Sequence, residues 1–160
     1  MQSEVEVREA DFGIDEEYAR LRGEPGNAGA CVLFTGLVRE WADGAGTQAL
    51  ELEHYPGMTE ASIAAIVGDA RARWQLGAVR VIHRVGRLAP GEQIVLVGVT
   101  SAHRHDAFAA CEFIMDYLKT RAPIWKKEIG ATAACWVESR DSDAQAAARW
   151  RESDTNEETT

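Results

Sequence analysis

No stretch of this chain stays apolar for long enough to cross a bilayer, which excludes a transmembrane helix. The opening run, MQSEVEVREADFG, is charged and lacks an apolar signal core, so no secretory leader is expected. Cysteine is scarce. Cys31, Cys111 and Cys135 are odd in number, widely spaced and without any CxxC, a pattern that argues against both a disulfide framework and a zinc site. They read as small buried thiols in a reducing cytoplasm. Positive charge is also in deficit: 17 Lys and Arg face 26 Asp and Glu, a formal net charge of -9. That balance excludes a general nucleic-acid binder, which needs a basic face for the phosphate backbone. It leaves room for a small anionic ligand, because local potential outweighs the total. No GxxxxGK[ST] loop, GxGxxG fingerprint or GxSxG elbow occurs. The acidic residues form no evident catalytic pair, and no cysteine lies in a clearly electropositive setting. If the chain transfers a group, the nucleophile comes from elsewhere.

What is present fits one domain of residues 1–151 with an acidic, disordered tail over 152–160. Ala30 to Arg39 is apolar and β-branched and predicts a strand. Glu40 to Thr47, with Asp43, Gly44 and Gly46, predicts a mobile loop. Gln48 to Tyr55 alternates, with Leu50 and Leu52 opposite Glu51 and Glu53, as a half-buried strand does. A helix follows Pro56-Gly57, with Thr59 as its N-cap and Ile63, Ile66, Val67, Ala70 and Trp74 on its apolar face; Gly77 closes it. Ala78 to Val85 and Gln93 to Thr100 are apolar strands joined through a LAPGE turn. A second helix places Phe108, Cys111, Met115 and Leu118 on one stripe and stops at Pro123. Ile124 to Ile129 and Ala133 to Glu138 predict a strand pair, and Ser142 to Trp150 a short helix opened by a capping box. Strands joined by short turns favour antiparallel pairing, so the class is α+β.

Cations gather at few points of this acidic chain. His103 and Arg104 stand where the second helix begins, a place suited to phosphate because backbone N–H groups and the positive end of the helix dipole meet there. Lys119 and Arg121 stand where it ends, and Lys126 and Lys127 follow the turn. By spacing alone Lys119 also fits a lysine favoured by the helix C-terminus, and Lys126 a strand lysine paired with an acid. Two lysines bracketing a tight turn also suit convergence on one ligand. Arg39 ends a strand beside the 40–47 loop; it is either a strand-end charge or an arm toward a ligand. His54 and His83 lie on separate strands with no ligand spacing and read as structural.

The runs FTGLVRE (Phe34 to Glu40), LEHYPGMTE (Leu52 to Glu60), VIHRVG (Val81 to Gly86), VGVTSAHR (Val97 to Arg104), FIMDYLKTRAPIWKKE (Phe113 to Glu128) and WVESRDSDAQAAARW (Trp136 to Trp150) closely resemble the large, catalytic subunit of molybdopterin synthase. The resemblance spans roughly Gly29 to Trp150, in order. It implies an α/β-hammerhead-type domain with an additional antiparallel β subdomain. It implies a sulfurtransferase that moves two sulfurs to cyclic pyranopterin monophosphate, forming the dithiolene of molybdopterin, with no permanently bound cofactor and no metal. The sulfur donor would be the C-terminal thiocarboxylate of a small ubiquitin-like subunit, in a heterotetramer built on a homodimer of large subunits in the cytoplasm. By the same resemblance Lys119 and Lys126 are the catalytic pair. Leu37, Val38, Arg39, His103, Arg104, Lys119, Lys126, Lys127 and Glu128 bind substrate, and Phe34 and Met115 line the pocket. His103 and Arg104 would reach it across the dimer interface. The chain departs from the family pattern at Leu37, where a lysine is often found, and at Glu40-Trp41. A scaffold that binds the ligand without turnover is the rival reading.

Overall fold

The β-branched run at Gln93–Ser101 forms the strand around which the rest is built, and residues 95–101 of it are buried. A strand buried on both faces needs neighbours at each edge and cover above and below. The computed structural model, which describes residues 4–23, 26–40, 47–130, 134–137 and 141–157, supplies both. Its elements in order are β1 (Val5–Arg8), α1 (Ile14–Arg22), β2 (Ala30–Leu37), β3 (Thr47–His54), α2 (Met58–Arg73), β4 (Val79–Arg84), β5 (Gly86–Leu88), β6 (Gln93–Ser101), α3 (Arg104–Arg121), β7 (Ile124–Gly130), β8 (Ala134–Val137) and α4 (Asp141–Glu157). One four-stranded sheet runs β1-β4-β6-β2, the other β5-β3-β7-β8. Pairing is antiparallel except for β1 on β4. The class is α+β, as the order of elements predicts.

The first sheet is covered on both faces. Ile63, Ile66, Val67 and Ala70 of α2 and Ala110, Phe113, Ile114 and Leu118 of α3 meet Val79, Val81, Val95, Val97 and Val99. Phe113 is the hub: its ring centroid lies 5.5 Å from Trp74, 5.5 Å from Trp150 and 4.7 Å from Tyr117. A buried aromatic of this kind contributes about 3–5 kcal/mol. Trp150 thereby docks α4, and its Nε1 donates to Asp116 Oδ2 at 2.8 Å. Across the sheet Phe12, Leu33, Ile82 and Leu96 pack together. There Glu17 of α1, buried, accepts from Arg80 Nε at 3.0 Å and Arg20 at 2.7 Å. The second sheet closes on a smaller cluster of Val38, Leu50, Leu52, Val85 and Leu88. Gly86, at φ 84, lets the chain leave β4 of one sheet and enter β5 of the other with no break in sequence.

Several expectations need correction. β1 and α1 are real elements, although neither carries a clear apolar period. Thr59 is not an N-cap: the cap is Gly57, two residues earlier, whose N–H donates to Glu60 at 2.6 Å, and the Thr59 hydroxyl donates back to Tyr55 O at 2.9 Å. α2 ends at Arg73, and Gly77 instead bonds Thr100 O across to β6. Phe108 leaves the predicted stripe and is 63% exposed. The true inner face of α3 uses Ala107 and Ala110, whose small side chains let the helix lie close to β6. α4 opens at Asp141 and its backbone helix runs to Glu157, past the predicted end at Trp150. The 40–47 loop falls mostly outside the described residues, as Trp41 does. Among the described residues, no helix is long and apolar enough to cross a membrane.

Candidate active site

The pleat of β7 sorts its charged run onto two faces. Cross-strand partners share a face, and successive residues alternate. Lys126 stands opposite Leu52 of β3 and Val137 of β8, Ile124 opposite His54, and Glu128 opposite Leu50. Leu50 and Leu52 are core residues, so Lys126 and Glu128 leave the sheet on its inner face, toward the junction of the two sheets. Lys127 points the other way. It is paired with Trp136, and its Nζ lies 5.5 Å over that ring. Of the three residues in the predicted binding run, the structure therefore brings Lys126 and Glu128 together and sends Lys127 to the opposite face.

Lys119 lies in the last turn of α3, exposed, with its Nζ 3.9 Å from Asp143 of α4. Met115, one turn earlier, is half-buried against the main core. The turn that separates the two lysines is held at both ends: Ile124 N–H donates to Ala122 O at 2.8 Å, and the Thr59 hydroxyl lies 3.4 Å from Pro123 O. Pro123 ends the helix because its ring cannot continue the ladder.

The β2 end contributes differently. The strand is irregular between Gly36 and Leu37, and beyond it Val38 is tied to the neighbouring turn, its N–H to Glu92 O at 2.9 Å and its carbonyl accepting from Gly91 at 2.8 Å. Val38 is 4% exposed and belongs to the small core cluster, so its side chain is not open to a ligand. Phe34, Leu37 and Arg39 are exposed.

His103 is the N-cap of α3 and Arg104 its first residue, both exposed. The His103 N–H donates to Ser101 Oγ at 3.3 Å. At about 1.5 Å per residue, Arg104 and Lys119 stand roughly 22 Å apart along the helix axis. The residues predicted for one pocket thus form two groups in a single chain, Lys119 and Lys126 beside the α3–β7 turn and His103 and Arg104 at the far end of α3.

Two histidines that spacing marks as structural lie at the lysine end. On β4, Arg80 and Ile82 face α1, while Val79, Val81 and hence His83 face α2 and α3. Burial pushes the His83 imidazole down to about 4, and the nearby charges of Lys126 and His54 push the same way. It is neutral at ordinary pH, with Nδ1 2.8 Å from Arg84 O. His54 sits at the end of β3 with a buried Nδ1 that has no hydrogen-bond partner among the described residues. Positions 54, 83 and 126 are too far apart in sequence for any spacing rule to connect them.

Of the described thiols, neither Cys31 nor Cys111 is poised as a nucleophile. Burial pushes Cys111 up to about 12 and raises Cys31 above its ordinary value. Among the described residues no three His, Cys, Asp or Glu converge as a metal site. Two surface clefts, of about 380 and 430 Å³, lie away from the lysines, one beside Glu4 and Glu60 and the other between Tyr18, Arg22 and Cys31.

Residues 7–121 match the family described as MoaE protein. The chain belongs to the MoaE family. It is 57% identical over 150 residues to a Vibrio cholerae protein named molybdopterin synthase catalytic subunit, with 94% of this chain and 99% of that protein covered. The solved structure of molybdopterin cofactor biosynthesis protein E from Burkholderia multivorans superposes with a TM-score of 0.79 at 48% identity, covering 94% of this chain and 97% of its own. A molybdopterin synthase structure from Staphylococcus aureus gives 0.80 at 33% identity, covering 86% of this chain and 99% of that one. The family match stops at Arg121, before Lys126, so for this MoaE chain β7 is carried by the full-length relatives.

Proposed function

We propose that this chain is the catalytic subunit of a molybdopterin synthase. It transfers two sulfurs from the C-terminal thiocarboxylate of a small ubiquitin-like subunit to cyclic pyranopterin monophosphate, forming the molybdopterin dithiolene. The observation that carries this reading is that Lys119 and Lys126 flank one braced turn in a chain whose buried Cys111 is pushed toward the protonated form and whose half-buried Cys31 is pushed the same way. Such a site supplies charge and protons but no sulfur, so the sulfur arrives on a partner.

In this reading Lys119 and Lys126 stabilise the negative charge that develops as sulfur adds and oxygen leaves, and they exchange the protons. Glu128, on the same strand face as Lys126, positions that lysine or the substrate. Arg39 and the backbone of Leu37 and Val38 border the substrate, with Phe34 and Met115 as apolar walls. Lys127 contributes positive potential from the outer face. His103 and Arg104 hold the substrate phosphate of the neighbouring copy, since they stand too far from Lys119 of their own chain. The working unit is then a dimer of large subunits with a small subunit at each end, acting in the cytoplasm. Residues 1–151 form the working domain and 152–160 an appendage.

The test is reconstitution. Purified chain, thiocarboxylated small subunit and cyclic pyranopterin monophosphate are combined, and molybdopterin is followed through its fluorescent oxidation product. Product that requires all three and is abolished in a dimeric Lys119→Ala variant supports the proposal. A stable complex with the small subunit that yields no product favours a binding scaffold instead, and near-normal turnover by Lys119→Ala removes that lysine from catalysis.

A further inference from the structure

His54 belongs to the LEHYPGMTE run, and the reading above gives it no task. Its Nδ1 is buried without a partner among the described residues. A buried polar atom left in that state costs about 1–3 kcal/mol and calls for a reason, a catalytic role being one. Thr59 of α2 has its hydroxyl engaged with Tyr55 and Pro123. His83 of β4 is neutral, with its own Nδ1 against Arg84 O. Glu128 of β7 lies four pairs further along the ladder, opposite Leu50.

His54 pairs with Ile124 and Leu52 with Lys126, so His54 and Lys126 share a face as diagonal neighbours. Diagonal neighbours have Cβ atoms about 7–8 Å apart or less, a gap that an imidazole and a lysine chain span together. Both lie close enough to His83 to oppose its protonation.

We propose that His54 is a positioning residue for Lys126: with its proton on Nε2, its Nδ1 accepts a hydrogen bond from the Lys126 ammonium in the substrate-loaded site and holds that ammonium against the ligand. The inference rests on the catalytic reading of Lys126. A bond that favours the charged form keeps Lys126 protonated to higher pH.

The experiment uses the full-length dimer with cyclic pyranopterin monophosphate bound and the small subunit withheld. Lys126 is titrated through its side-chain carbon resonance, assigned with Lys126→Arg. In His54→Leu the midpoint moves to lower pH by about 0.5–1, as expected on losing an acceptor for the ammonium. In the complete reaction kcat falls about 10-fold or more, with KM for the pterin within about twofold. His54→Asn, whose amide oxygen can take the place of Nδ1 as acceptor, restores most of both. The proposal is overturned if His54→Leu leaves the midpoint and kcat unchanged. It is equally overturned if His54→Asn, folded and dimeric, is as impaired as His54→Leu. If the midpoint moves but Lys126→Ala turns over normally, the hydrogen bond stands and the catalytic reading of Lys126 is what fails.

Discussion

Separation of Arg104 from Lys119 by the length of α3 has a consequence that can be counted. The two residues stand roughly 22 Å apart along the axis, more than an arginine and a lysine reaching toward each other can close around one small ring phosphate. If each site takes Lys119 from one copy and Arg104 from the other, defects in these residues must complement. Lys119→Ala alone is expected to lower turnover about 10²–10⁴-fold, the usual contribution of a positioned acid or base. Arg104→Ala alone removes a charge-assisted contact of about 1.5–3 kcal/mol, a loss of roughly 10- to 150-fold at low substrate. Mixing the two inactive variants in equal amounts and allowing subunits to exchange makes about half of the dimers mixed. In each mixed dimer one site collects both defects and the other collects none, so about one quarter of all sites are intact. The fluorescent product assay at low substrate should then read about 25% of wild type, well above the mean of the parents. Native mass spectrometry shows whether mixed dimers formed. Activity that stays at the mean of the parents in a fully exchanged sample would refute the shared site and require His103 and Arg104 to act elsewhere.

Two other outcomes follow from the packing. His83 is neutral when folded, with its imidazole held down at about 4 against 6.5 for an ordinary histidine, so between these values the unfolded chain binds the extra proton and stability falls as pH falls. Urea unfolding at pH 7 and pH 5 should show a loss of about 1–2 kcal/mol in the wild type that is absent in His83→Gln; equal losses in both would place the effect on other groups. At the opposite end of α3, a Cβ on Gly29 would lie 2.5 Å from the Ala102 carbonyl oxygen, next to His103. Gly29→Ala should therefore move the start of α3 and raise KM severalfold with kcat little changed, and a purely kcat defect would contradict this placement of the phosphate-binding end.

Much of the architecture was legible because it follows local rules. β3 shows its face in the alternation of Leu50 and Leu52 with Glu51 and Glu53, and α3 stops at Pro123 for a reason contained in one residue. α1 and β1 escaped detection for an equally physical reason. α1 is half charged and is held by the buried Glu17–Arg80 pair, which joins residues 63 positions apart. β1 is short and gains its place by parallel pairing with β4, a contact that no local pattern announces. Phe108 shows the converse: an apolar residue at plausible helical spacing stays outside because Ala107 and Ala110 let α3 turn its small side toward β6.

The residues themselves determined the chemistry on offer: an acidic chain with clustered cations, three scattered cysteines without a CxxC, and runs that mark its family. Alternation even fixed the opposition of Lys126 and Lys127, since neighbours on a strand always face apart. Tertiary structure alone decided which of these groups meet. It set His54 and His83 beside Lys126, because strands distant in sequence join at the junction of two sheets. It also set Lys119 against Asp143, because α4 docks on α3 through Trp150, a contact between residues distant in sequence.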